Sequence, residues 1–130
     1  MTNNQLSHVL RNIDLSNGYI VRTVNNLEAV LIEHHKSVTT NSGRRYIEYY
    51  DYLILLKDGK KTGIIMKCQF MDVHVYMYPQ YRNQHILSRL SGGGFLKKLW
   101  PDIESVKCEN RNEYAKIKYL VENAGFYLRN

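Results

Sequence analysis

The chain is poor in residues that interrupt or cross-link a fold. With two prolines and two cysteines among 130 residues, it has neither a proline-rich spacer nor the material for a disulfide framework. Cys68 and Cys108 lie far apart in strand-like segments, without the close spacing of a zinc site or a redox dithiol, and are expected to be buried, reduced thiols. No stretch approaches the run of roughly 20 apolar residues that crosses a bilayer. The opening "MTNNQLSHVL" lacks the basic start and apolar core of a secretory signal, so a cytoplasmic protein without membrane contact is expected. Acid is also scarce: 12 Asp and Glu stand against 18 Lys and Arg, a formal charge of +6. That surplus points to an anionic partner, whether a nucleic acid, an acidic protein or a phosphate-bearing cofactor. Apart from Arg44-Arg45, Lys60-Lys61 and Lys97-Lys98, however, the cations are scattered as on any solvated surface.

What is present is ordinary globular composition, 44% hydrophobic and 23% charged, which predicts one domain over residues 1–130. Leu6, Val9, Leu10 and Ile13 recur at helical spacing, and "YIVRTV" at 19–24 reads as a strand. Residues 26–40 are ambiguous. Leu27, Val30, Leu31, His34 and Val38 fit a helix behind an Asn cap, yet the same stretch is rich enough in β-formers to be one arm of a hairpin turning at "NSGRR". From Tyr46 the pattern is clearer. "YIEYYDYLILL", the Asp-Gly turn of "KDGKK", "TGIIMKCQF" and "DVHVYMY" predict a three-strand meander that Pro79 ends. In its third strand Val73, Val75 and Met77 alternate with His74, Tyr76 and Tyr78. A helix is predicted over 82–91, broken at Gly92-Gly93-Gly94 and followed by a short turn "FLKKLW", a strand "IESVKCEN" and a last helix "RNEYAKIKYLVENAGF".

Several clusters invite a chemical reading beside a plain one. His34 and His35 are adjacent and diverge on a helix, and no carboxylate-histidine spacing completes a metal site, so no metal is expected. The three glycines at 92–94 could nest an anion but more simply hinge two helices. "RRYIEYYDY" offers aromatic rings for stacking nucleic-acid bases, with Glu48 and Asp51 opposing it electrostatically.

The order of meander, proline, helix, crossover strand and a helix closing in Gly-Phe resembles the cofactor-binding half of the GNAT (GCN5-related N-acetyltransferase) superfamily. The likeness runs over residues 52–126. "YLILLKDGKKTGII" looks like its second and third strands, "VYMYPQYRNQHILSRL" like its fourth strand and cofactor helix, and "RNEYAKIKYLVENAGF" like its last helix. The resemblance implies a shortened α/β domain, a central, mostly antiparallel sheet flanked by helices. It also implies acetyl transfer from acetyl-CoA to an amine.

In that family the pyrophosphate rests on a loop reading Arg or Gln, two residues, Gly, one residue, then Gly or Ala, at the start of the cofactor helix. Arg82 matches the first position, whereas His85 and Leu87 stand where small residues are usual. Arg82, Asn83, Gln84, His85, Ile86, Leu87 and Ser88 are thus the implied cofactor-binding residues. Backbone amides near Val75 and Met77 are the implied contacts of the acyl carbonyl. Tyr119, four residues after Ala115, is the implied acid for the departing thiolate, although registering the helix on Gly125 puts Val121 there instead. Asp72, His74 and Glu48 are candidates for the base, His74 foremost. The chain stops four residues after Gly125-Phe126, where the family continues with strands that wall the acceptor site. Either the amino-terminal half supplies that wall, a second subunit does in a homodimer, or there is no acceptor site. The contrasting reading is a non-catalytic interaction protein on the same scaffold, meeting a nucleic acid or an acidic protein with its basic surface.

Overall fold

Thr2 and Gln5 start the first helix by capping each other. Gln5 N donates to Thr2 Oγ1 at 3.2 Å and Thr2 N to Gln5 Oε1 at 2.7 Å, so two otherwise orphaned amides are satisfied. Helix α1 then runs Asn3–Asn12 and buries Leu6 and Leu10, one turn apart. The computed structural model describes residues 2–67, 72–92, 94–103, 105–107 and 127–129. Within these, the strands β1 (Tyr19–Val24), β2 (Leu27–Thr39), β3 (Arg45–Lys57), β4 (Lys60–Lys67), β5 (Asp72–Met77), β6 (Ser105–Lys107) and β7 (Tyr127–Arg129) form one sheet in chain order. β1 to β5 are antiparallel neighbours, and β6 and β7 add in parallel. The fold is therefore α+β, an open, mostly antiparallel sheet with few helices.

Residues 26–40 prove to be a strand. β2 pairs with β3 throughout, from Leu27 opposite Lys57 to Thr39 opposite Arg45. Leu27, Ala29 and Leu31 enter the core on one face while Val30 and Ile32 enter the core on the other. A strand buried on both faces loses its period of two, and the residual apolar spacing imitates a helix. The hairpin β3–β4 turns at Asp58 and Gly59, whose φ values of +52° and +76° are those of a type I′ turn. Next to it, Leu55 faces Gly63 and Leu56 faces Lys61, leaving Thr62 as an extra residue. Thr62 is fully buried, and its hydroxyl donates to Leu55 O at 2.8 Å.

Two cores sandwich the sheet. On one face Leu6 and Leu10 of α1 cover Val30, Ile32, Tyr52, Ile54, Leu56, Ile64 and Met66. On the other, Ile86 and Leu90 of α2 (Ile86–Ser91), Leu96 of α3 (Phe95–Leu99), Trp100 and Ile103 cover Leu53, Leu55, Ile65, Val73, Val75 and Met77. The expected alternation in β5 is thus what divides it between the cores.

The helix predicted over 82–91 begins only at Ile86. Asn83 and His85 take φ values of +67° and +59°, left-handed backbone that a right-handed helix does not accommodate. Gly92 ends α2, and Gly94, at φ +77°, caps α3, as a hinge requires. Arg22 of β1 holds this corner, its Nη1 donating to Gly92 O at 2.9 Å and its guanidinium lying 5.0 Å from the Phe95 ring centroid. No helix among the described residues is long and apolar enough to cross a membrane. Cys68, Cys108 and the expected last helix, with Ala115, Tyr119 and Val121, lie outside the described residues.

Candidate functional site at the carboxyl end of β5

β5 is where the sheet changes its mode of pairing. Its antiparallel ladder with β4 runs from Val73 to Met77, and Tyr78 N continues it to Thr62 O at 2.9 Å. Its parallel ladder with β6 joins Asp72, Val73 and His74 to Ser105, Val106 and Lys107. The chain then leaves this end of the strand through a 3-10 turn, Pro79–Tyr81, and the left-handed residues that lead into α2. Crevices beyond the carboxyl ends of parallel strands, where a crossover departs, are the recurrent ligand sites of sheets with helices on their faces.

The side chains at this junction have distinct attachments. Arg82 Nε donates to Met77 O at 3.1 Å while its guanidinium lies 5.8 Å from the Tyr76 ring centroid, folding the arginine back over the strand end. Gln84 is held between Lys57 Nζ, which donates to its Oε1 at 2.8 Å, and Gln80 O, which accepts from its Nε2 at 3.0 Å. His85, exposed, precedes α2 without capping it through its side chain. Ser88 Oγ donates to His85 O at 3.0 Å. Ile86 is buried, and Leu87 packs against the same core, so the isobutyl group that replaces a small residue turns toward the sheet.

Val75 and Met77 send their side chains into that core. Gly63, opposite Met77, makes room for it: a Cβ on Gly63 would lie 2.1 Å from the Met77 sulfur. On the opposite face His74 is 3% exposed. Its Nε2 lies 3.1 Å from Asn3 Oδ1, an acceptor, which assigns the ring proton to Nε2. Tyr76 and Tyr78 meet edge to face with centroids 6.0 Å apart, and burial pushes the Tyr78 phenol up, against the opposing influence of Arg11.

The candidate bases are not gathered together. His74 lies under α1, whereas Glu48 is far along β3, accepting from Tyr46 OH at 3.2 Å and Tyr50 OH at 2.8 Å. Asp72 pairs with Ser105 through the backbone at the start of β5. The cofactor-binding candidates from Arg82 to Ser88, by contrast, form one continuous turn. Sequence reasoning missed Lys57, Asn3 and Arg22, polar residues whose partners lie 27, 71 and 70 positions away and which therefore carry no spacing signal. No group of three or more His, Cys, Asp or Glu side chains among the described residues could hold a metal ion.

No family model matches the chain, and no curated protein or solved structure matches it either.

Proposed function

We propose that this chain is a GNAT-like acyltransferase that takes the acetyl group of acetyl-CoA and passes it to an amine. The observation that carries the reading is the change at β5 from antiparallel pairing with β4 to parallel pairing with β6, with the turn 82–85 leaving the carboxyl end of that strand for α2, the kind of place where sheets bind ligands. The residue that stands at the usual glycine of the phosphate loop, His85, adopts the left-handed backbone that glycine takes freely. Leu87 is turned into the core, and this leaves the outer side of the turn to His85, to Ser88 and to the amides of the first turn of α2.

The donor set suits a diphosphate. Arg82 brings a positive charge to the turn while its Nε holds Met77 O, and Lys57 adds positive charge beside Gln84. Arg82, Asn83, Gln84, His85, Ile86, Leu87 and Ser88 are the proposed pyrophosphate turn, with Val75 and Met77 beside the acyl group. Acetyl-CoA supplies an acyl group activated as a thioester. The chain would bind it, orient it and handle the protons, with Tyr119 proposed as acid and His74 as base.

Calorimetric titration with acetyl-CoA, paired with thermal unfolding, tests the reading. Cofactor at a hundred times its Kd should stabilise the fold by about 2.7 kcal/mol. Arg82→Glu should abolish the effect. Because that change also removes the bond to Met77 O, Ser88→Glu is the cleaner variant: a carboxylate in the first turn of α2 favours the helix but repels a diphosphate. Loss of binding in a fully stable Ser88→Glu protein is expected. Absence of heat and of stabilisation at millimolar acetyl-CoA overturns the proposal.

A further inference from the structure

β2 and β3 continue together past their flanking strands. β1 pairs with β2 only over Leu27 to Leu31, and β4 pairs with β3 only from Asp51 on. Beyond them, among the described residues, His34 to Thr39 and Tyr50 to Arg45 pair with each other alone. Six residues at about 3.3 Å each make this a two-stranded arm roughly 20 Å long. It ends in a tight loop in which Thr40 N donates to Arg44 O at 2.9 Å and Thr40 Oγ1 accepts from Arg44 N at 3.1 Å.

The arm holds three of the five large hydrophobic side chains that the described residues expose, Tyr46 at 40%, Ile47 at 50% and Tyr49 at 47%. Its distal part, residues 36–46, carries Lys36, Arg44 and Arg45 and no carboxylate. Arg44 and Arg45 are exposed. Of the nearby acidic residues, Glu48 shares a face with Tyr46 and Tyr50, which both donate to it, and Asp51, opposite Glu33, lies at the base of the arm where β4 joins. Alternation along β3 therefore puts Arg45, Ile47 and Tyr49 on the face that Glu48 does not share.

We propose that this arm docks in the major groove of duplex DNA. That groove, about 12 Å wide, admits a two-stranded ribbon. Arg44 and Arg45, exposed at the tip, complement the phosphates that flank it, and Ile47 and Tyr49 offer apolar contact to base edges such as the thymine methyl. The proposal uses the arm alone and stands whether or not the β5 junction binds a cofactor.

Fluorescence anisotropy with a labelled 20-base-pair duplex, read between 50 and 200 mM salt, tests it. Arg44→Ser with Arg45→Ser should weaken binding at least tenfold and reduce the slope of log affinity against log salt by about 2, near 0.9 for each phosphate no longer neutralised. Lys60→Ser with Lys98→Ser removes the same charge from exposed positions elsewhere and should change affinity less than threefold. Ile47→Ser should weaken binding several-fold without altering the slope. Equal losses in the two charge pairs would reduce the interaction to bulk attraction and overturn the proposal. So would no binding, tighter binding to a single strand than to the duplex, or a self-association that Ile47→Ser abolishes while DNA binding persists.

Discussion

The two ends of the β2–β3 hairpin are both rich in β-formers and do opposite things. Near the Asp58-Gly59 turn, Leu53, Ile54 and Leu55 are fully buried because helices cover both faces of the sheet. A few residues back along the same strand, Ile47 is half exposed. β-propensity is alike at both ends, so propensity alone does not create the core. Neighbours do.

The sharpest way to break that comparison is to make one change at each end. Ile54→Ala should cost about 2–5 kcal/mol in chemical denaturation, since the emptied site lies between close-packed strands, whereas Ile47→Ala should stay within about 0.5 kcal/mol. Equal costs would mean that the arm is covered in solution. A smaller effect is expected from Thr62→Val, which keeps the volume of the bulge residue but deprives Leu55 O of its hydroxyl donor. The cost should be about 1–3 kcal/mol, with unchanged denaturant dependence. The smallest effect concerns Tyr52, whose phenol burial pushes up from its ordinary value of 10.0. A raised folded value means that its contribution is fully present below about pH 10 and is lost as pH rises through the folded value. Stability measured against pH should fall in that alkaline window, and Tyr52→Phe should lessen the fall.

Much of the framework was legible in the residues. The first helix, the Asp-Gly hairpin, the strand that Pro79 ends and the glycine hinge all follow from local chemistry that tertiary contacts reinforce. The strand β2 was not uniquely legible: it was one of two readings, a hairpin arm beside a helix, because burial on both faces around Ala29 to Ile32 blurs the alternation by which a strand is recognised. Nor was the turn from Arg82 to His85, since nothing in "RNQH" announces two left-handed residues, and a non-glycine takes that backbone only where its surroundings impose it. At the candidate site the helix that carries Ile86 and Ser88 was identifiable, though not where it starts. The folding back of Arg82 onto Met77 O and Tyr76 was not, because it depends on a strand end and a ring that only the fold brings within reach. The arm's separation of Glu48 from Arg45 and Ile47 follows from simple alternation, once the segment is known to be a strand.

Asn3 meets His74 across 71 positions, and Arg22 meets Gly92 across 70. Each end of the early chain is thus secured by a segment made much later. At translation rates of 5–20 residues per second, the first helix waits roughly four to fourteen seconds for its partner strand. During synthesis Leu6 and Leu10 stay uncovered until the strands that carry Val30 to Met66 have been made.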